Sequence, residues 1–409
     1  MATIKPFKAI RPAKEIADIV SASSESGHRE EAKKHIKKNP NSYLNVVKPF
    51  LHFDDEKKNP EKHYTFGREY LEKLLEQGVL IREELVSYYI YRNIVGSKAY
   101  TGIIAAASVD DYLNGVILKH ENTLTEKQHE LMEHVQYIKT IGCPVLLTYP
   151  DNAAIDRIVA KITMRKPEYN FISDDQIKHN LWPVNDIAET SEITAQFAAM
   201  KQLYIADGHH RSAGAAAYCQ SRRRTSDDRE AAFNFFPVCL IPFSKLTIYE
   251  YHRLVKDPEV YETDFLDNVK VFFDVFTCGN LPFQPLQKGE FGLYIKDQAY
   301  QLTLKDEYMP EDILGKLDVS IVEKYLLKNI LHITDSKTDS RLSFIDGGKG
   351  IGTLQHIIDG GKADLAITLY PTSIQELKAV AENNLIMPPK STWIEPKLRT
   401  GLVVYEMGD

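Results

Sequence analysis

Residues 203–224 constrain the chain more than any other stretch. The apolar run 203–206 ends on Asp207 and Gly208, and an alanine-rich, helix-prone run follows from Arg211 to Arg224. A strand, a glycine at the turn and a helix start form a strand-to-helix unit in which the backbone can approach a ligand closely. The N–H groups of the first helical turn then face that ligand, and their partial positive charge suits an anion.

Elsewhere the same alternation recurs. Residues 191–200 are helix-forming ahead of Leu203, and residues 126–141 read as an amphipathic helix with Leu131, Val135 and Ile138 on one side, followed by a buried strand at 144–149. Leu71, Leu74, Leu75 and Leu80 fall at near-helical spacing before the β-rich runs 87–92 and 102–108, a turn or short helix at 110–115 and the segment 116–123. The opening residues 4–12 suit an edge strand between prolines. Residues 21–41 read as a polar loop and a charged helix stopped by Asn39 and Pro40. The alternation predicts a mixed α/β fold, an α/β layer accompanied by a second α+β domain.

Composition shifts after the strand-like run 235–243. Residues 291–304 read as a hairpin turning near Asp297 and Gln298, and a helix at 374–383, a proline-rich loop at 387–392 and a last strand at 401–406 follow. The domains expected are therefore 1–244, carrying the phosphate or nucleotide site, and 245–409. With 409 residues, 43% hydrophobic and 26% charged, the chain is in the globular range and can bury more than one core.

A net charge of -7 gives no general attraction to nucleic acid or to an anionic membrane, so any anion site must be local. The four cysteines show no C-x-x-C spacing, which suggests neither a zinc site nor a redox pair. No run approaches the roughly 18 apolar residues of a membrane span, and the N-terminus has no apolar signal region. A cytoplasmic protein is expected.

The chemistry concentrates in residues 204–211. Arg211 can grip two phosphate oxygens, His209 and His210 can donate hydrogen bonds or move protons near neutral pH, and Gly208 opens the helix start. A carboxylate beside phosphate is repulsive unless it holds a metal ion or takes a proton from an attacking hydroxyl, so Asp207 is a candidate for both. The competing structural reading has Asp207 capping the following helix. A metal held by His209 and His210 alone is disfavoured, because adjacent helical residues point ~100° apart.

Lys119, His120 and Glu121 follow an apolar strand and form the second cluster, with Glu121 as an alternative general base. Lys390, Ser391 and Thr392, with Lys397 and Arg399 nearby, make a basic, hydroxyl-rich loop suited to a carboxylate or phosphate. The glycine-rich stretch 346–352 fails as a phosphate loop, since Lys349 precedes Gly350 rather than Ser or Thr. Residues 222–224 are a charge run at a helix end, where the helix dipole favours cations.

With these residues in view, the chain resembles the domain-of-unknown-function family numbered 1015 (DUF1015). The resemblance is carried by residues 6–12, 39–42, 119–123, 206–211, His252 and Arg253, 387–393, Pro396 and Lys397. The 207–211 segment is in turn similar to the nucleotide- and phosphate-binding motif of the ParB/sulfiredoxin fold, whose members include free L-serine kinases. The resemblance implies a ParB/sulfiredoxin-like N-terminal domain and phosphoryl transfer between ATP or ADP, with Mg²⁺, and the hydroxyl of serine or a similar small molecule. It implies Asp207 as base or magnesium partner and Gly208, His209, His210 and Arg211 on the phosphates. Glu121 and His209 join Asp207 as candidate catalytic groups, and Lys119, His120, Lys390, Ser391 and Thr392 are candidate substrate contacts. Where the family carries a Pro-Pro-Tyr-Asp-like segment, this chain has VSASSES at 20–26, so those family roles have no counterpart here. A phosphatase of the same metabolite and a non-catalytic ParB-like nucleotide-binding regulator stay open. Neither nucleic acid nor membrane is expected as a partner, and a homodimer is the candidate assembly.

Overall fold

The computed structural model describes residues 1–23, 29–54, 59–261 and 264–408. Residues 24–28, which hold part of the 20–26 segment and of the polar loop, lie outside the described residues. The chain forms two compact units, Met1–Leu246 with Pro396–Asp409, and Thr247–Glu395. A boundary read near 245 thus misses the return of the final segment to the first unit.

The first unit is built on one mixed sheet of nine strands. In chain order these are β1 (Ile4–Lys5), β2 (Tyr88–Val95), β3 (Lys98–Ser108), β4 (Ile117–Leu118), β5 (Val145–Tyr149), β6 (Tyr169–Ile172), β7 (Lys178–Val184), β8 (Leu203–Asp207) and β9 (Phe235–Pro242). The spatial order is β6-β7-β2-β3-β9-β5-β8-β4, with β1 beside β3. Every residue of β9 is buried, and Ala105, Ala106 and Ala107 of β3 are sealed from solvent. Continuous apolar strands of this kind suit a sheet covered on both faces, whereas a half-solvated sheet would alternate.

The opening segment 4–12 is divided: Ile4 and Lys5 pair with β3, and Ile10–Pro12 pairs with Leu80–Arg82. Pro6 lies between them and has no N–H to offer a ladder. The helices are α1 (Arg29–Lys38), α2 (Pro60–Glu76), α3 (Thr125–Ile138), α4 (Ala153–Thr163), α5 (Ile187–Ala198) and α6 (His209–Arg222). Helices α3 and α6 pack closely because Gly214 leaves room: a Cβ there would stand 2.7 Å from Leu131 Cβ. No helix among the described residues is long and apolar enough to cross a membrane.

The final segment is held by backbone pairing. Arg399–Thr400 pairs with Ala22–Ser23, and Tyr405–Glu406 pairs with Thr140–Ile141. The single strand expected at 401–406 is broken at its start, where Gly401 takes φ +80° and donates its N–H to the Gly142 carbonyl at 2.8 Å. Fully buried Tyr43 packs against both glycines, and its hydroxyl lies 3.1 Å from Thr140 Oγ1.

The second unit carries an antiparallel sheet of β10 (Tyr251–Val255), β11 (Phe273–Gly279), β12 (Glu290–Ile295), β13 (Gln298–Leu304), β14 (Leu342–Asp346) and β15 (Leu365–Leu369), ordered β11-β13-β12-β15-β10-β14. The β12–β13 hairpin turns at Lys296 and Asp297, both with positive φ, the backbone a tight two-residue hairpin demands. Helix Ile374–Glu382 starts with a capping box between Ser373 and Glu376. Residues Val322–Ile330 form a π-helical segment.

Two glycines with positive φ give a controlled comparison. At Gly401 a Cβ would stand 2.3 Å from Tyr43 Cβ, whereas at Gly78, φ +68°, nothing lies within 4 Å. Gly401→Ala is expected to cost about 2–4 kcal/mol, combining left-handed strain with overpacking. Gly78→Ala should cost about 1–2 kcal/mol from the backbone alone. Urea denaturation of the two variants checks the difference, and equal losses would refute the packing role of Tyr43.

Candidate functional site

Parallel pairing of β4 with β8 assembles the site. Ile117 is in register with Leu203 and Leu118 with Tyr204, so both strands leave the sheet at the same end. Residues 119–121 and 207–211, distant in sequence, therefore emerge side by side. Strand ends are where α/β sheets collect ligands. The β8–β5 pairing also shifts register between Ile205 and Asp207, a bulge of the kind that re-aims a side chain.

Gly208 is the N-cap of α6, with φ +101° and ψ 28°, and the helix start has no side-chain cap. The reading of Asp207 as a capping residue is thus overturned. Its Oδ2 accepts a hydrogen bond from Arg211 Nη2 at 2.7 Å, and its Oδ1 lies 3.7 Å from Lys397 Nζ. Burial pushes the Asp207 carboxyl up, but the Arg211 guanidinium and Lys397 ammonium outweigh it and hold the group below the usual carboxylate range. The guanidinium lies over the glycine, where a Cβ would stand 2.9 Å from Arg211 Nη2.

Behind this ion pair is a histidine pair. His209 and His120 are buried, with rings 4.5 Å apart in an edge-to-face contact. The His120 backbone N–H points at His209 Nε2 at 3.4 Å, which leaves the proton on Nδ1, 3.6 Å from Glu121 Oε2. Burial, with neighbouring cations and His120, drives His209 well below the ordinary imidazole range, and burial lowers His120 to about 4. Neither ring nitrogen of His120 closes a hydrogen bond among the described residues. His210 points elsewhere, half-buried near Lys127 and Arg211, and burial lowers it too. Lys119 is exposed.

The structure thus gathers Asp207, Gly208, His209, Arg211, His120 and Glu121, and adds Lys397, which sequence reasoning had placed with the 388–392 loop. Only the pairing of the final segment could have moved it. Lys390, Ser391 and Thr392 belong to the second unit. There the Ser391 hydroxyl donates to the Pro388 carbonyl at 2.7 Å, and Lys390 Nζ stands 5.3 Å from the Tyr251 ring centroid. Among the described residues no group of three or more His, Cys, Asp or Glu side chains could hold a metal ion. Chemically, the helix start, Arg211 and Lys397 can take an oxyanion, while Glu121 and His209 offer a proton-transfer pair beside it.

Two outcomes follow. Gly208→Ala should strain the backbone and push the guanidinium off its perch, weakening phosphate binding while leaving the far-UV circular dichroism unchanged; unaltered affinity by calorimetry would contradict the cradle. Acid sensitivity has a defined sign, because His120 and His209 are held neutral when folded but titrate near 6.5 when unfolded. The unfolded chain binds more protons below that pH, so stability should be level above about 7 and fall steadily between about 6.5 and 4. Chemical denaturation at stepped pH checks it, and a flat profile across that window would refute it.

The family model described as "Protein of unknown function (DUF1015)" matches residues 4–320. No curated protein matches the chain. Among solved structures, a free serine kinase in complex with AMP is 12% identical, covering 74% of this chain and 91% of that chain with a TM-score of 0.37. A variant of a free serine kinase in complex with ADP is 10% identical, covering 75% and 93%, TM-score 0.39. SbnI with a C-terminal truncation, from Staphylococcus aureus, is 12% identical, covering 71% and 82%, TM-score 0.37. Likeness this distant carries no functional argument. The match over residues 4–320 does establish kinship, and the chain belongs to the DUF1015 family.

Proposed function

We propose that this protein is a phosphotransferase that moves a phosphoryl group from ATP or ADP to the hydroxyl of a small metabolite, with free L-serine as the acceptor. The observation that carries the reading is the convergence of an uncapped helix start, two cations and a separate carboxylate–histidine pair at the shared end of β4 and β8. The motif similarity of residues 207–211 to ParB/sulfiredoxin-fold serine kinases supports the same chemistry. A cytoplasmic, homodimeric enzyme completes the proposal.

The roles divide by charge. Arg211, Lys397 and the first N–H groups of α6 hold the phosphates and take up charge as the terminal P–O bond of the nucleotide breaks. Glu121, rather than Asp207, accepts the proton of the attacking hydroxyl: Asp207 is bonded to Arg211 and held below the usual carboxylate range, which makes it a poor base. His209, neutral beside Glu121, orients that carboxylate. The new bond joins the serine oxygen to phosphorus, and the shortened nucleotide leaves with the electron pair. Mg²⁺ fits as an ion brought in on the nucleotide phosphates, since it keeps most of its shell as water and phosphate oxygens. Asp207 would hold it, because its side chain is 40% exposed. The ion supplies charge neutralisation when bound.

The test is incubation of purified protein with Mg²⁺, ATP or ADP and a panel of amino acids, following phosphoserine and nucleotide products. Glu121→Gln should lower kcat by roughly 10²–10⁴-fold with nucleotide binding retained. Asp207→Asn should also abolish turnover while costing under ~1 kcal/mol of stability, since a partly exposed ion pair contributes little. Stabilisation by nucleotide with no turnover in either direction would sink the enzyme and leave a nucleotide-binding regulator.

A further inference from the structure

A cavity of about 670 Å³ lies within the first unit, lined by the link that follows β1, by α2, by the turn after α3 and by the last strand. It shares no residue with the site at the end of β4 and β8. Lys5, Lys8, Arg68, Arg82 and Lys139 line it, against two carboxylates, Glu230 and Glu406. In a chain of net charge -7, this excess of cations is a local reversal of sign that favours an anion. Phe7 and Tyr405, both buried, with ring centroids 5.0 Å apart edge to face, give the same cavity an apolar side.

Both guanidiniums are already committed. Arg82 donates through Nε and Nη2 to the two oxygens of Glu406, at 3.3 and 3.1 Å. Arg68 Nη2 stands 2.6 Å from Glu72 Oε1, and its Nη1 donates to the Ile138 carbonyl at 3.1 Å. The planar, two-oxygen recognition at which arginine excels is thus used internally. The lysines are held more loosely. Lys5 Nζ donates to the Glu230 carbonyl at 3.2 Å, but its contact with the Glu230 carboxylate is long, 3.9 Å, to a side chain 89% exposed. An ion pair so open to water yields readily to another anion. Lys139 Nζ donates to the Tyr218 hydroxyl, a neutral partner, at 3.2 Å, and Lys8 is exposed. An ammonium has three N–H donors, so one such bond leaves two for a ligand. Ammoniums act on phosphate oxygens as point charges, without the fork a carboxylate prefers, and three of them on separate stretches of chain suit a ligand whose charge is spread along its length.

We propose that this cavity binds an oligophosphate, a small molecule carrying two or more linked phosphate groups, on Lys5, Lys8 and Lys139. The site is independent of the phosphotransfer reading. The intact protein, without nucleotide and at low salt, is titrated calorimetrically with inorganic tripolyphosphate, orthophosphate and succinate. Saturable binding of tripolyphosphate, tighter than either of the others, is expected. The double variant Lys8→Ser with Lys139→Gly should weaken it about tenfold or more, since two charge-assisted contacts go. Glycine accepts the φ of +62° at position 139, so the backbone there is kept. Arg211→Gln, which alters the other anion site, should leave this binding in place. The proposal is overturned if tripolyphosphate gives no saturable heat, if orthophosphate or succinate binds as tightly, or if the double variant binds as the parent does. Binding lost in Arg211→Gln and kept in the double variant would place the probe at the other site and also overturns it. Should the double variant fail to fold by circular dichroism, acylation of the parent decides: tripolyphosphate should protect Lys8 and Lys139 from an amine-reactive reagent, and unchanged labelling of both refutes the site.

Discussion

The site of the first unit depends on a strand pairing only two residues long. Ile117 and Leu118 lie parallel to Leu203 and Tyr204, and nothing shorter could fix the direction in which both segments leave the sheet. Had β4 run antiparallel, residues 119–121 would exit at the opposite end, some 5–7 Å or more away for each pair of residues traversed. The four paired residues are apolar and buried, so ordinary hydrophobic burial, rather than any polar contact at the site, sets the geometry of the candidate site.

On that frame, charge is arranged in two layers. Outermost, Asp207 sits between Arg211 and Lys397, so the cations are held in place without ligand and need little rearrangement when an anion enters. Beneath it, His120 and His209 are kept neutral by burial. Neutral imidazoles add no positive charge beneath Arg211 and Lys397, and His209 keeps an N–H that can face Glu121. For the reaction proposed above, groups fixed in place beforehand are the usual source of electrostatic stabilisation.

Much of this was legible in the sequence because it is local. The strand, the glycine turn and the helix after it follow from residues within one 22-residue stretch, and Gly208 takes the left-handed backbone that its lack of a Cβ permits. The 119–121 cluster was visible as chemistry, but its meeting with 207–211 required the parallel register, which periodicity does not encode. Lys397 was misplaced for the same reason: its partner lies 190 positions upstream, and the path of its segment is set by Gly401, Gly142 and Tyr43. The competing reading of Asp207 as a cap failed because glycine already occupies the cap, and a cation four residues on competes better for the carboxylate than a backbone N–H does.

The return of residues 396–409 to the first unit gives that unit a discontinuous chain, with the whole of Thr247–Glu395 inserted before its last piece. During synthesis the nine-stranded sheet can emerge and pair while the segment bearing Lys397 has not yet been translated. The ribosome must first deliver the entire second unit. Asp207 and Arg211 can therefore meet first, and the second cation can join them only afterwards, so until the last residues are made the candidate oxyanion site lacks Lys397.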